Sequence, residues 1–333
     1  MAMQSVTTFP PYPWLQELWD QLQKLRVSGQ LPHAILFAGA EGLGKFELGQ
    51  AFAHSLLCKS PSETGQPCGQ CSGCNLLQAG NHPDFQLIEP EEEGKWIKID
   101  AIRDFIAQES ITAHAGGYKP VLICPAEAMN QAAANSLLKT LEEPVSGSIM
   151  MLISANPSRL PATIRSRCQL INVPVPSIDV SSQWLQTIIP EGDVESMLQS
   201  VAGSPLKAVQ MSGEEKQQLY ETILSDFINV VTLKKDPVAV AGSWIKQDPK
   251  EILLWMCGWV IDMLRLQMVS EPPTLINREQ KQRLQSVANE SNTKRLYEAL
   301  SHIYDARSNI DATLNSQMML ERLLLSLVKS RRV

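Results

Sequence analysis

The sequence predicts an α/β domain followed by an all-α region within a chain of 333 residues. Two observations predict this. Short apolar runs alternate with amphipathic stretches over about 170 residues, the pattern of a parallel sheet covered by helices. After Pro174, Pro176 and Ser177, a hinge-like stretch, only helical periodicity remains. A third feature interrupts the first part: Cys58, Cys68, Cys71 and Cys74 fall within seventeen residues.

Trp14, Leu15, Leu18, Trp19, Leu22 and Leu25 recur at helical spacing and mark an amphipathic helix, which Gly29 and Pro32 stop. His33 to Ala38 is a short apolar run, read as a buried strand, and Gly39-Ala40-Glu41-Gly42-Leu43-Gly44-Lys45 follows at once. A helix is expected from about Lys45 to Leu57. Past the cysteines, Asp84 to Ile88 reads as a strand, and Asp100 can cap a helix through roughly Ile111. Val121 to Cys124 is another buried strand. Asn130 caps a helix from Gln131 to Glu142, which Pro144 ends. Ile149 to Ser154 and Cys168 to Val173 complete the strands. Helices are short up to about Val209 and longer beyond Gly213, including the apolar sets Ile252, Leu253, Trp255, Met256, Trp259, Val260, Leu264 and Leu320, Leu323, Leu324, Leu327. The expected domains are 1–174 with the cysteine module at 58–74, a small helical part at 175–211, and a helical bundle at 212–333.

The bulk numbers exclude several classes. A chain of this length exceeds one ordinary hydrophobic core. No apolar run reaches the roughly 18–20 residues that a transmembrane helix needs, so no membrane partner is expected. Met1 to Pro13 has neither a basic n-region nor an apolar h-region, so a cytoplasmic location is expected. With 29 Lys and Arg against 35 Asp and Glu, the net charge is −6. Acidic chains are poor autonomous nucleic-acid binders, because non-specific affinity comes mainly from Lys and Arg on phosphates.

The cysteine spacing points to a metal. Cys68-Gly69-Gln70-Cys71-Ser72-Gly73-Cys74 holds two overlapping C-x-x-C pairs, and such turns place two thiolates on one side of a tetrahedral zinc site. Gly69 and Gly73 sit where a chain bending around a metal calls for positive φ. Four unrelated thiols or two disulfides are the alternatives. Four cysteines would fill the tetrahedron, making one structural Zn²⁺ per chain the expectation.

Gly39, Gly42, Gly44 and Lys45 fit the G-x-x-x-x-G-K part of a P-loop, between a strand and a helix as that motif requires. The next position should carry a hydroxyl for Mg²⁺, and here it is Phe46. The loop is therefore either a cradle for ATP or ADP or a turn kept for packing, since Phe46 could clash or swing aside. Counting back from Asn135-Ser136-Leu137-Leu138-Lys139, the two positions expected to be acidic hold Cys124 and Pro125, and Glu127 lies two positions too late. Three losses in one site argue against hydrolysis.

His33 through Lys45, the cysteine module, Ala134-Asn135-Ser136-Leu137-Leu138-Lys139-Thr140-Leu141-Glu142-Glu143-Pro144 and Leu160-Pro161-Ala162-Thr163-Ile164-Arg165-Ser166-Arg167-Cys168 together resemble the bacterial clamp-loader AAA+ subunits of DNA polymerase III. The resemblance spans essentially the whole chain. It implies an AAA+ P-loop parallel sheet with an inserted zinc module, a small helical lid and a C-terminal helical collar. It also implies a five-membered ring with gamma/tau and delta subunits, which opens the sliding clamp and places it on primer-template DNA at the nucleoid-associated replisome. In that arrangement Arg167 would act in trans as an arginine finger on a neighbour's ATP, with Ser166 and Cys168 shaping its turn. The alternative is a surface salt bridge. The family's second sensing arginine falls at Leu206 in Gly203-Ser204-Pro205-Leu206-Lys207, and Lys207 stands one residue off. Phe46, Cys124, Pro125 and Leu206 depart from the motor subunits, so the resemblance implies a member without ATPase activity of its own.

Two other functions compete: an active gamma/tau-type ATPase using Lys45 with Glu127, and a free-standing zinc-ribbon DNA binder, which the net charge disfavours. His82 reads as a loop histidine capping backbone groups rather than a replacement for one of the zinc ligands. Trp255 and Trp259 read as bundle core or subunit interface, and Lys139 as a solvated helix lysine.

Overall fold

A computed structural model describes residues 9–92, 94–109, 117–190, 193–269, 271–272, 274–310 and 315–328. The chain divides into two compact units, Met1–Ser181 and Ser182–Val333.

The first unit is built on a five-stranded, all-parallel sheet. Its strands are β1 (Ala34–Ala38), β2 (Gln86–Ile88), β3 (Lys119–Ile123), β4 (Ser148–Ser154) and β5 (Gln169–Asn172), in the order β2-β3-β4-β1-β5. Among the described residues six α-helices accompany them: α1 (Gln16–Val27), α2 (Lys45–Leu57), α3 (Ser72–Gln78), α4 (Ile99–Glu109), α5 (Gln131–Glu142) and α6 (Ala162–Arg165). Side chains alternate across a strand, so each strand feeds two cores. Leu36, Val121, Ile123, Met150 and Leu152 pack with Ile102 and Phe105 of α4 and Leu137 and Leu141 of α5. Ile35, Phe37, Leu122, Met151 and Ile153 pack on the other face with Trp19 of α1 and Leu48 and Phe52 of α2. Both faces are covered, which is why these strands read as continuous apolar runs rather than alternating ones.

Element boundaries follow local chemistry. Gly29 turns the chain out of α1 at φ +68°. Asn130 caps α5, its side chain accepting from the N–H of Ala133 at 2.8 Å. Asp100 does not cap α4 as expected; it lies in the first turn, where its charge suits the helix dipole. The expected end of that helix near Ile111 lies outside the described residues, and α4 is described to Glu109. The strand expected from Asp84 begins only at Gln86.

The division between units falls inside α7 (Ile178–Gln186). The second unit is helical throughout its described residues. With α8 (Val194–Ser200) and α9 (Pro205–Met211), Leu185, Val194, Leu198, Val201 and Ala208 form a small core. A larger core joins α10 (Glu214–Val231), α11 (Pro237–Trp244), α12 (Pro249–Met268), α13 (Lys281–Glu290), α14 (Thr293–Asn309) and α15 (Ser316–Val328). Trp255 and Trp259 are buried there, and Trp259 donates to the Tyr220 hydroxyl at 2.8 Å. Among the described residues no helix is long and apolar enough to cross a membrane.

Among the described residues of the bundle, one carboxylate is fully buried. Asp262 of α12 accepts from the backbone N–H groups of Ile276 and Asn277, at 2.9 and 2.7 Å, and from the Asn277 amide at 2.8 Å. Asp262→Ala leaves those donors buried without a partner, so unfolding free energy should fall by about 3–5 kcal/mol. Urea unfolding followed by tryptophan fluorescence measures this, and a loss below about 1 kcal/mol would show that water replaces the carboxylate.

Candidate functional site

The four clustered cysteines converge as their spacing suggested. Their sulfurs all lie within 4.8 Å of one another, a grouping that could hold a metal ion. The Cys71–Cys74, Cys58–Cys71 and Cys68–Cys74 separations are 3.5, 3.9 and 4.0 Å. Disulfide sulfurs sit about 2.05 Å apart, whereas thiolates about 2.3 Å from a central zinc form a tetrahedron with edges of about 3.8 Å. All seven cysteines are free, so the disulfide alternative falls.

Backbone donors surround this sulfur cluster. Cys58 ends α2, and its sulfur accepts from the N–H of Cys68 at 3.2 Å. The Cys71 sulfur caps α3 by accepting from Cys74 N–H at 3.5 Å, and it accepts from Lys59 N–H at the same distance. Burial opposes ionisation of Cys71, but these donors outweigh it and bring its thiol down to about 6. The N–H groups of Gln70 and Cys71 lower Cys68, while burial raises Cys58 and Cys74. His82 stands aside: its Nδ1 accepts from Asp84 N–H at 3.1 Å, the backbone-capping role expected of it.

Of the two glycines expected to need positive φ, only Gly69 has it, at +71°. Gly73 is instead helical, inside α3, and is required for space: a Cβ there would meet the Leu57 carbonyl at 2.3 Å. The loop between Cys58 and Cys68 docks on α1, where Trp19 donates to the Thr64 carbonyl at 2.9 Å and Gly65 leaves room for the Gln23 amide.

The glycine loop sits at the other end of α2, about 20 Å away for a helix of thirteen residues. Gly42 and Gly44 are left-handed at φ +75° and +82°, and Gly39 passes so close to Val173 that a Cβ would overlap its carbonyl. Lys45 is buried, and its ammonium donates back to the Ala40 carbonyl at 2.5 Å. Burial lowers its pKa, opposed by Glu127 and Glu41. Phe46 is half-buried and packs against the core under α1 and α2. Tyr12 and Trp14 stack with ring centroids 4.9 Å apart, Trp14 donating to the Leu43 carbonyl and the Tyr12 ring pressing on Gly44. Burial, helped by Glu47, pushes the Tyr12 phenol up to about 12. Nearby, burial with help from Glu127 pushes the Cys124 thiol up to about 12, leaving it neutral at physiological pH. Glu127 does not aim at a ligand through Oε1, which accepts from the N–H groups of Ala155 and Asn156 at 2.9 and 3.0 Å.

Arg167 follows α6 on the turn before β5. Its guanidinium donates to the Thr163 carbonyl at 2.8 Å and to Glu142 Oε1 at 2.5 Å, the salt bridge that was the alternative reading. Ser166 donates to Thr163 as well, and half-buried Cys168 packs against the core under α4 and α5. All these contacts lie within α5, α6 and the adjoining turn, separate from the cysteines and from Lys45.

The family described as DNA polymerase III, delta subunit, matches residues 14–177, and its C-terminal counterpart matches residues 214–329. A DNA polymerase III subunit delta' from Pseudomonas aeruginosa is 36% identical, covering 94% of this chain and 96% of the relative. The chain belongs to the delta-prime family. Another delta-prime subunit, from Haemophilus influenzae, is 32% identical over 76% of this chain and 77% of its own. Among solved structures, a DNA polymerase III gamma subunit-related protein from Thermotoga maritima is 19% identical, covers 94% of this chain and 100% of that one, and overlaps with a TM-score of 0.43.

In this delta-prime family member, Glu142, Tyr12, Trp14 and Gln23 were missed by sequence reasoning as site residues. Only Glu142 had a sequence signal, its place in the Leu141-Glu142-Glu143-Pro144 stretch. Leu206 and Lys207 lie in the first turn of α9, behind Pro205. Exposed Lys139 fits a solvated role. Gly73→Ala should lower stability by about 1–3 kcal/mol, because the overlap is with backbone that cannot rotate away. A thermal-unfolding scan, with thiol reactivity alongside, checks this; an unchanged midpoint would mean α3 shifts freely.

Proposed function

We propose that this chain is the non-catalytic delta-prime subunit of a sliding-clamp loader in DNA replication. It assembles with gamma/tau and delta subunits in a five-membered ring, and the clamp and primer-template DNA are met through that complex. In this reading 1–174 is the AAA+ domain, 175–211 the lid and 212–333 the oligomerising collar. The protein works in the cytoplasm, at the replisome. The family matches and the delta-prime relatives support the assembly role.

The observation that carries the non-catalytic part is the fate of Glu127. Phosphoryl transfer depends on metal ligands and an acid that orients water. Phe46 and neutral Cys124 offer no metal ligand, and Glu127 Oε1 is committed to two backbone N–H groups. Lys45 and Tyr12 further favour a loop closed on itself without ATP or ADP. Lys45 also leaves one opening for the gamma/tau-type alternative. Metal-dependent turnover by the isolated chain, abolished by Lys45→Ala, would establish that alternative and overturn this reading.

Arg167 is then the residue lent to a neighbour's ATP. An arginine finger in trans can be worth roughly 10³–10⁵ in rate. Arg167→Ala should leave the chain folded and assembled, because its ion pair is half-exposed and contributes little to stability. ATP turnover by the reconstituted loader should fall several-fold but not to zero, since other interfaces keep their own arginines. Lysine should rescue poorly, having lost the planar fork. Wild-type turnover and clamp loading by the Arg167→Ala complex would make the residue structural only.

The metal is zinc, held by Cys58, Cys68, Cys71 and Cys74 with no open position for water, which makes it structural. Elemental analysis should return one zinc per chain, and chelation should speed the reaction of four thiols. A stoichiometry near zero in protein purified without chelators would refute it.

A further inference from the structure

Glu142 is the last residue of α5. Its Oε1 accepts from Nη2 of Arg167, while Nη1 of the same guanidinium donates to the Thr163 carbonyl at 2.8 Å and faces the Ser166 hydroxyl at 3.4 Å. The guanidinium is thus fixed through both terminal nitrogens, yet the side chain stays 34% exposed. Arginine offers five N–H donors, so donors remain for an anion arriving from outside. The segment carrying Arg167 is tied at its root as well, where Glu127 accepts from Ala155 and Asn156 N–H.

We propose that Glu142 is a positioning residue for Arg167, holding the guanidinium ready for the γ-phosphate of a nucleotide on a neighbouring subunit. The proposal rests on the arginine-finger reading above. An arginine ordered before the encounter loses less rotamer freedom on contact. The carboxylate also weakens the pull of the guanidinium on a phosphate, but Glu142 is 52% exposed and water and salt screen that effect. Ordering is the larger effect. The pair's exposure also means that breaking it leaves the fold intact.

The test compares reconstituted loaders carrying Glu142→Ala, Glu142→Gln, Arg167→Ala and the Glu142→Ala/Arg167→Ala double change. Glu142→Ala should lower kcat for ATP about three- to fivefold, leaving KM for ATP and the thermal midpoint unchanged. Glu142→Gln, whose amide oxygen still accepts from Nη2, should keep most of the rate. The double change should match Arg167→Ala alone, because both act through one group. The proposal is overturned if Arg167→Ala slows turnover while Glu142→Ala leaves it unchanged or raises it, or if the two losses multiply. If Arg167→Ala itself leaves turnover unchanged, the finger reading fails and the Glu142 role falls with it, an outcome separable from the others by that single variant.

Discussion

Because all five strands run parallel, their carboxyl ends lie along one edge of the sheet, and the connections leaving them must gather there. Three of those connections carry candidate site residues. The turn after β1 is the glycine loop, the turn after β3 holds Cys124, Pro125 and Glu127, and the exit of β4 leads through Ala155 and Asn156 towards Arg167. The sheet order places β4 between β3 and β1, so the β3 turn can reach the β4 exit, and Glu127 does so through two hydrogen bonds. One carboxylate thus links two connections. In an active site of this architecture the same edge would present acids to a metal; here Glu127 Oε1 meets two backbone N–H groups.

Lys45 shows how the chain itself can hold a buried charge. A buried ammonium is costly unless paired and hydrogen-bonded. Donation to the Ala40 carbonyl and the nearby carboxylates of Glu127, Glu41 and Glu47 supply that compensation from the chain itself. The lysine thereby ties the loop to itself through the Ala40 carbonyl. Tyr12 and Trp14 add an apolar wall against Gly44 and Leu43. The ammonium of the P-loop signature thus has an internal acceptor in the Ala40 carbonyl.

The layered α/β half was legible because burial on both faces writes long apolar runs, and the helices between them carry caps and periodicity of their own. The cysteine cluster was legible because its chemistry needs four ligands at short spacing. What could not be read depends on contacts between distant segments. Gly73 looked like a flexible turn residue, but its constraint is the Leu57 carbonyl of another helix. Glu142 looked like one of two equivalent glutamates until folding brought it to Arg167, 25 positions away. Tyr12 meets Gly44 only because the turn before α1 folds over the glycine loop. Periodicity reports which face is buried, not which polar atom finds which partner.

The cysteine module illustrates the same limit from the energetic side. Its backbone between α2 and α3 is mostly irregular, with few apolar residues to bury, so a hydrophobic core of its own is not available. The docking contacts to α1, through Trp19 and Gln23, fix only one side. Four sulfurs at tetrahedral spacing supply the missing constraint, since one metal bound to all four would close the Cys58–Cys68 loop and anchor the first turn of α3 together. That arrangement also secures the C-terminal end of α2, the helix whose other end carries Lys45. The sulfur cluster at one end of α2 and the self-bonded loop at the other brace the same helix, while the guanidinium of Arg167 stays half-exposed beside Glu142.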